Sequence, residues 1–277
     1  MRLSRSSLVA SALPLLALFA VAVAGCGAAP EGAAPSPNAS GGRANTVEGT
    51  STSGAASAGS AASAGSTPLG RERCQPPAGM SGSPRTIEEA VALLNALPKP
   101  TSVACFVESL DRPLAAFATS STFSAQPALS DVSPRVFFKL DRLWMSVVID
   151  GKSSYLIEFS YLLEDLRSIK GELLTPIEAP VPASAPYDRV LYSDEQTICG
   201  LCHYSEQRAP SVPFAKAFAS VAFRPRPDER VTLDALRAQQ HSCNWPLEPH
   251  RCEMLSAIFG GGQVGDAVFP AAMPTFF

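Results

Sequence analysis

A series of short apolar segments between residues 102 and 178 constrains the fold more than any other feature of this chain. Each segment is rich in β-branched and aromatic residues and is separated from the next by turn-forming residues. Asp150-Gly151, between two of them, is typical of a hairpin turn. Strands that follow one another without helices form antiparallel sheets, so we expect a sandwich or barrel. The predicted strands are SVACFVESL, LAAFATSSTFSA, RVFFKL, LWMSVVID, SYLIEFSYLL and RSIKGELLTPIE.

Helices are expected on both sides of this β-rich segment. Thr86 and Glu89 have the spacing of a capping box, and Pro98 stops the helix that they begin. Residues 232–240 and 249–259 also have helical patterns. The sequence therefore predicts a mainly β fold with a small helical, cysteine-rich C-terminal module, which is α+β overall.

The N-terminus has the features of an export signal. Arg2 and Arg5 precede an apolar run over residues 8–24, which ends in small residues. Pro14 breaks this run, and its length is marginal for a membrane-spanning helix. We therefore interpret residues 1–25 as a signal peptide.

The run ends in Val23-Ala24-Gly25-Cys26, which resembles the lipobox of bacterial lipoproteins. The resemblance implies cleavage before Cys26 and lipidation of Cys26, and several acyl chains on one residue give stable membrane anchoring. Because Gly27 follows the cysteine, the resemblance also implies sorting to the outer membrane of a Gram-negative bacterium. An exported chain enters a compartment in which disulfides persist.

Composition divides the chain into four segments. After the signal peptide, residues 26–70 are a lipid-anchored linker rich in Ala, Gly and Ser, which buries too little apolar surface to fold. Such a flexible tether of about 44 residues has an r.m.s. reach of roughly 35 Å. Residues 71–185 form the expected β-rich domain, with one N-terminal helix. Residues 186–277 form the cysteine- and histidine-rich C-terminal module, which we expect to pack on that domain.

The cysteine count predicts disulfides. Without Cys26, six of the seven cysteines remain, and an even number suits three bridges in an exported protein. Cys74 and Cys105 flank the first predicted helix, and a bridge between them would close a loop of about 30 residues. The other four are expected to cross-link an early pair to a late pair, with the pairing order left open. These are Cys199, Cys202, Cys243 and Cys252.

The early pair belongs to Cys199-x-x-Cys202-His203, which resembles the haem-attachment motif of c-type cytochromes. The resemblance implies that Cys199 and Cys202 form thioethers with the haem and that His203 is the proximal iron ligand. The possible distal ligands are Met254, Met273, His241 and His250.

Three other interpretations of this motif stay open. Its cysteines can be halves of structural disulfides, a redox dithiol, or part of a zinc site with Cys243 and Cys252. The preceding segment PYDRVLYSDEQTI is predicted as a strand and a loop. We take structural disulfides as the leading interpretation, with no cofactor and no metal, and one covalent haem c as the alternative.

The rest of the sequence contains no enzyme motif. It has no Walker-type loop and no HExxH, and Gly79-Met-Ser-Gly-Ser83 lacks the last glycine of a nucleophile elbow. Loss of the two signal-peptide arginines leaves 20 basic residues against 25 acidic ones, which argues against nucleic acid as a partner. We therefore expect no catalytic residues. The expected partners are the membrane and an unidentified protein or small molecule.

Overall fold

The computed structural model describes residues 73–276. The predicted signal peptide, Cys26 and the whole of the predicted tether lie outside the described residues. Within them, nine strands are present: β1 Leu114–Thr119, β2 Arg135–Leu140, β3 Leu143–Val148, β4 Leu156–Leu162, β5 Arg167–Leu174, β6 Gln207–Arg208, β7 Phe218–Val221, β8 Arg230–Val231 and β9 Val264–Asp266.

These strands form one sheet in the order β6-β7-β5-β4-β3-β2-β1-β8. Neighbours are antiparallel, except that β9 runs parallel to β1. β7 pairs with β5, and both β8 and β9 pair with β1, so strands from residues 186–277 continue the sheet that the earlier strands begin. The prediction of a mainly β, α+β fold is confirmed.

Five α-helices accompany the sheet. The N-cap at Thr86 is confirmed, because its side chain accepts a hydrogen bond from the Glu89 amide at 3.2 Å, while the Glu89 carboxylate accepts from the Arg85 amide at 2.7 Å. The two C-terminal helices also lie where their patterns placed them. The helices are α1 Ile87–Ala96, α2 Val103–Glu108, α3 Ala185–Val190, α4 Leu233–His241 and α5 Pro249–Phe259.

The main hydrophobic core lies between these helices and one face of the sheet. Every second residue of the central strands points into it, as Met145 and Val147 of β3 do. Phe106 of α2 and Leu255 of α5 are fully buried in the same cluster. Period-2 alternation in the strands and the apolar stripes of the helices together explain which side chains meet there.

The opposite face of the sheet, called here the second face, is also covered. All six residues of β3 are buried, including Trp144 and Ser146, which point away from the main core. The residues of the second face are largely polar, and the segments that cover it come from loops and from the end of the chain.

Two secondary-structure predictions are wrong. The first segment interpreted as a strand forms α2, because the Ser102 side chain caps it by accepting a hydrogen bond from the Cys105 amide. Its nearly continuous apolar run does not distinguish a buried strand from a buried helix. The segment before the cysteine motif contains α3, which begins with a proline in its first turn and ends at Val190.

The turn at Asp150-Gly151 is longer than predicted. β3 and β4 are antiparallel neighbours, but β3 ends at Val148 and β4 begins at Leu156. Gly151 has φ +95° within this loop, a conformation that favours glycine.

Two disulfides join described residues. Cys74 bonds to Cys105, as expected, and ties the start of the folded region to α2. Cys243 bonds to Cys252 and ties the end of α4 to α5. The expected cross-link of Cys243 and Cys252 to the earlier cysteine pair is therefore wrong, since these two sulfurs lie next to each other across the α4–α5 turn.

No helix among residues 73–276 has the length and apolar character needed to cross a membrane.

We predict that the two bridges contribute unequally to stability. Because the Cys74–Cys105 bridge closes the longer loop, C74A/C105A should lower the free energy of unfolding by about 3–4 kcal/mol, and C243A/C252A by about 2–3 kcal/mol. Urea unfolding of both double variants, compared with the wild type, measures the difference. A larger loss in C243A/C252A would contradict this ranking.

Candidate functional site

The second face carries a group of buried and half-buried polar side chains, called here the polar array. Strand register places its members on one face of neighbouring strands, because Ser146 lies opposite Glu158 and Glu158 opposite Glu172. Such a group is costly to bury and is retained where it serves packing specificity or function. The polar array consists of Gln126, Arg135, Ser146, Glu158, Ser168, Lys170, Glu172 and Ser220.

Arg135 organises one end of the polar array. Its guanidinium pairs with the Glu158 carboxylate and donates to the Ser146 hydroxyl at 2.8 Å. Ser146 in turn donates to the Gln126 side-chain oxygen at 3.0 Å, and Gln126 donates to the Leu156 carbonyl at 2.6 Å. This end is therefore a connected network in which each buried group supports the next.

Lys170 lies at the other end, between two strands. Its ammonium donates to Ser168 Oγ at 3.0 Å and to Ser220 Oγ at 2.8 Å. Burial lowers the pKa of Lys170 to about 8, although the charges of Cys199 and Glu206 oppose this shift. A lysine with this pKa is less strongly protonated near neutrality than an exposed one.

Glu172 has the opposite shift. Burial raises its pKa, and the facing Glu158 carboxylate raises it further, while Arg189 acts against the shift. The Arg189 Nε atom is 3.8 Å from the Glu172 carboxylate. Like charges on directly opposed strand residues repel each other. The arginines beside Glu158 and Glu172 offset this repulsion.

The Cys199 segment, defined here as residues 198–203, lies near the Lys170 end of the polar array. Cys199 is in a short 3-10 helix, Ile198–Leu201, and the charge of Lys170 acts on its sulfur and on His203. Cys199 is the free cysteine of the described residues, and burial raises its thiol pKa to about 12. The thiol is therefore protonated at neutral pH, and a protonated thiol is a poor nucleophile.

His203 is held by the backbone of the strand end. Its Nδ1 lies 2.8 Å from the Val221 carbonyl oxygen, and its ring contacts Phe223 and Phe276. Burial lowers the pKa of His203 to about 3, and the positive charge of Lys170 contributes to this shift. The imidazole is therefore neutral at physiological pH.

Cys202 directly follows the short helix that carries Cys199. Three of the candidate distal ligands lie apart from this segment. Met254 is fully buried in the main core. His250 contacts the Tyr155 ring and lies 3.7 Å from the Asp150 carboxylate, and His241 is exposed at the end of α4.

Met273 is the one candidate distal ligand near the aromatic rings around His203. It lies 3 residues before Phe276, and its carbonyl accepts a hydrogen bond from Arg224, which follows Phe223. Its side chain is buried.

One grouping of three possible metal ligands occurs in residues 73–276. It consists of Cys243, Glu248 and Cys252, whose ligand atoms lie within 4.8 Å of one another. The two sulfurs are bonded to each other, so the cluster offers a single carboxylate as it stands.

An open cleft of about 720 Å³ lies beside β9. Arg237 and Asp266 line it, and neither the Cys199 segment nor the polar array contributes to its lining.

Sequence reasoning did not identify the polar array. Ser168, Lys170 and Glu172 alternate with apolar residues along β5, and this alternation is typical of a strand with one solvent-exposed face. The same pattern therefore describes an exposed face and a face that other segments cover.

Comparison of the chain with protein-family models, with curated proteins and with solved structures gives no match.

We predict that His203 makes the fold sensitive to acid. Because its folded pKa is about 3, below that of an unfolded histidine near 6.5, the unfolded chain binds the extra proton between these values, and stability falls as pH falls through the window. The loss between pH 7 and 5 should be about 1–2 kcal/mol smaller in H203Q than in the wild type.

Urea unfolding at pH 7, 6 and 5 measures this difference, and H241Q, at the exposed end of α4, is the matched control. Equal pH dependence in H203Q and H241Q would contradict the prediction.

Proposed function

We propose that this chain is a lipid-anchored protein of the bacterial cell envelope, held at the outer membrane through Cys26. The observation that carries the proposal is the lipobox-like Val23-Ala24-Gly25-Cys26 at the end of an export signal. Two disulfides in the folded region support it, because such bridges persist in exported proteins.

The folded region acts, in this proposal, as a non-enzymatic binding or structural module. Large apolar side chains are exposed around the Cys199 segment: Leu201, Tyr204 and Phe123 have 63%, 59% and 62% of their surface exposed. The Tyr204 and Phe123 rings are linked through Phe223 and Phe276, at centroid distances of 5.0–5.6 Å. Contiguous exposed apolar surface of this kind marks interaction sites.

Covalent haem at the Cys199 segment is the second candidate. The observation in its favour is the His203 Nδ1 contact with the Val221 carbonyl, because a metal-binding histidine often donates its other ring N–H to a backbone carbonyl. Cys199, Cys202 and His203 would hold the group, which would supply one-electron redox chemistry.

The fit to haem is only partial. The free thiol of Cys199 is available for thioether formation, but burial raises its pKa to about 12 and leaves it protonated. The nearest polar surroundings are charged, since Lys170 and Arg135 both act on His203. A haem pocket is mostly apolar, so these residues favour the binding module over the electron carrier.

We predict that Cys26 determines the location of the protein. In cells fed an alkyne-labelled fatty acid, the wild-type chain should carry the label and sediment with membranes. C26S should lose the label and most of the membrane association, because the anchor is the acyl group. C199S, which removes the free thiol of the folded region, is the matched control. A labelled, membrane-bound C26S would refute the assignment of the anchor.

The binding-module proposal predicts a colourless protein. Expression together with c-type haem maturation machinery should give no Soret absorbance, and the intact mass should show no added haem. A Soret band that disappears in H203A, with a mass increase of one haem, would replace the leading proposal with the electron carrier.

A further inference from the structure

The last described residues form a strap across the second face, defined here as residues 267–276. It begins at β1, where the Ala267 amide donates to the Ala116 carbonyl at 2.7 Å. It ends beyond β7, where the Arg224 amide donates to the Pro274 carbonyl at 2.9 Å. The strap therefore passes from one side of the sheet to the other, with a turn at residues 270–273 in which the Met273 amide donates to the Pro270 carbonyl at 3.0 Å.

An aromatic box on the sheet holds the first half of the strap. The Phe269 ring stacks on Trp144 with centroids 4.1 Å apart and planes 11° apart. Phe117 and Phe137 contact it edge-on at 5.3 Å and 5.4 Å. These stacked and T-shaped geometries are the favoured ones for aromatic pairs.

Cationic side chains surround the box. Arg135 lies 4.6 Å from the Phe137 ring centroid, Arg230 5.7 Å from that of Phe117, and Lys139 6.0 Å from that of Trp144. Cations over aromatic faces at these distances are favourable contacts. The box is therefore a built recognition site for one aromatic ring, and its walls belong to three adjacent strands.

The second half of the strap supplies another anchor. The Phe276 ring contacts Phe223 at 5.0 Å and His203 at 6.2 Å, which brings the strap onto the Cys199 segment. Between the two anchors the strap is more open, since Ala271 and Ala272 are exposed. Val268, beside the first anchor, keeps 73% of its surface exposed.

The main core does not depend on these contacts. It lies on the other face of the sheet, between the strands and the helices, and neither aromatic anchor is part of it. Removal of the strap would therefore expose the aromatic box and leave the helix-covered core in place.

We propose that the second face is a peptide-binding surface, and that the strap occupies it in cis until an extended partner segment with an aromatic anchor replaces it. This rests on the proposed binding function and names its surface and partner class. A tethered segment competes at an effective concentration in the millimolar range, so the strap would exclude weak partners and admit those that fill the box better.

A labelled peptide with the sequence of residues 267–277 tests the proposal on the full mature chain by fluorescence anisotropy. F269A weakens the strap in cis, so it should bind this peptide at least ten-fold more tightly than the wild type. V268A, altered at an exposed position of the same strap, is the matched control and should behave as the wild type. The same peptide with its Phe269 equivalent replaced by Ala should bind F269A at least ten-fold more weakly.

Equal affinity of F269A and V268A, or equal binding of the two peptides, would overturn the proposal. Exchange of straps between two copies, seen as a dimer of the wild-type chain by light scattering, would assign the surface to a second copy and overturn it as well. All of these outcomes leave fatty-acid labelling at Cys26 unaffected, so a failure here is distinct from a failure of the envelope assignment.

Hydrogen exchange on the wild type keeps the test decisive if F269A does not fold. Strap amides that exchange through local opening, much faster than those of β3, support a displaceable strap. Strap amides that exchange only with global unfolding would overturn it.

Discussion

Burial of the sheet on both faces is the constraint on which the rest of this structure depends. The helices cover an apolar face, and their packing supplies the main core. The second face must be covered by segments without regular structure, because all the α-helices that pack against the central strands lie in that core. β3 shows the result, since its six residues are buried although only alternate ones point toward the helices.

Covering a polar face has an electrostatic cost. Lys170 and Glu172 both have pKa values shifted toward their neutral forms, and burial is the first cause of each shift. Serine hydroxyls bind the Lys170 ammonium, and arginines approach the carboxylates, so the polar array is largely satisfied from within the protein. A half-satisfied array would cost more than an apolar one. This dependence explains why partners of the array come from several strands and from the loop that carries Gln126.

The Cys199 segment takes its character from this setting. A CxxCH sequence has the same residues whether it binds haem, forms bridges or merely packs, and only its neighbours distinguish these roles. Here the neighbours are a lysine, a strand carbonyl and two phenylalanine rings. Burial keeps the Cys199 thiol protonated and the His203 ring neutral, and both properties suit a packed segment better than a reactive one.

The strap and the Cys199 segment both lie on the second face of the sheet. The two segments contact each other through the rings of Phe276 and His203. A displacement of one segment would therefore act on the other through this side-chain contact. The exposed apolar side chains of this region surround the same junction. The proposed binding surface, the cysteine motif and the end of the described chain are therefore in contact, although they are distant in the sequence.

Local patterns in the sequence were enough to predict the β-rich class, three of the helices with the cap at Thr86, and the bridge between Cys74 and Cys105. The predictions of class and helices depend on residues that are close in the chain. The prediction of the bridge depends on two cysteines that flank a single predicted helix. The sequence could not distinguish α2 from a strand, because a residue run that is buried on all sides has no period to read.

Only the tertiary structure decided the pairing of Cys243 with Cys252 and the existence of the polar array. The alternating pattern that includes Ser168 and Lys170 is the same on a solvent-exposed face and on a covered face. The segments that pack beside these residues lie about 30 to 100 residues farther along the chain. The amino-acid sequence by itself determined much of the local structure and is the sole basis of the predicted export signal, since such patterns act over a few residues. Which polar groups are buried was decided by contacts distant in sequence, because burial is a property of the packed chain.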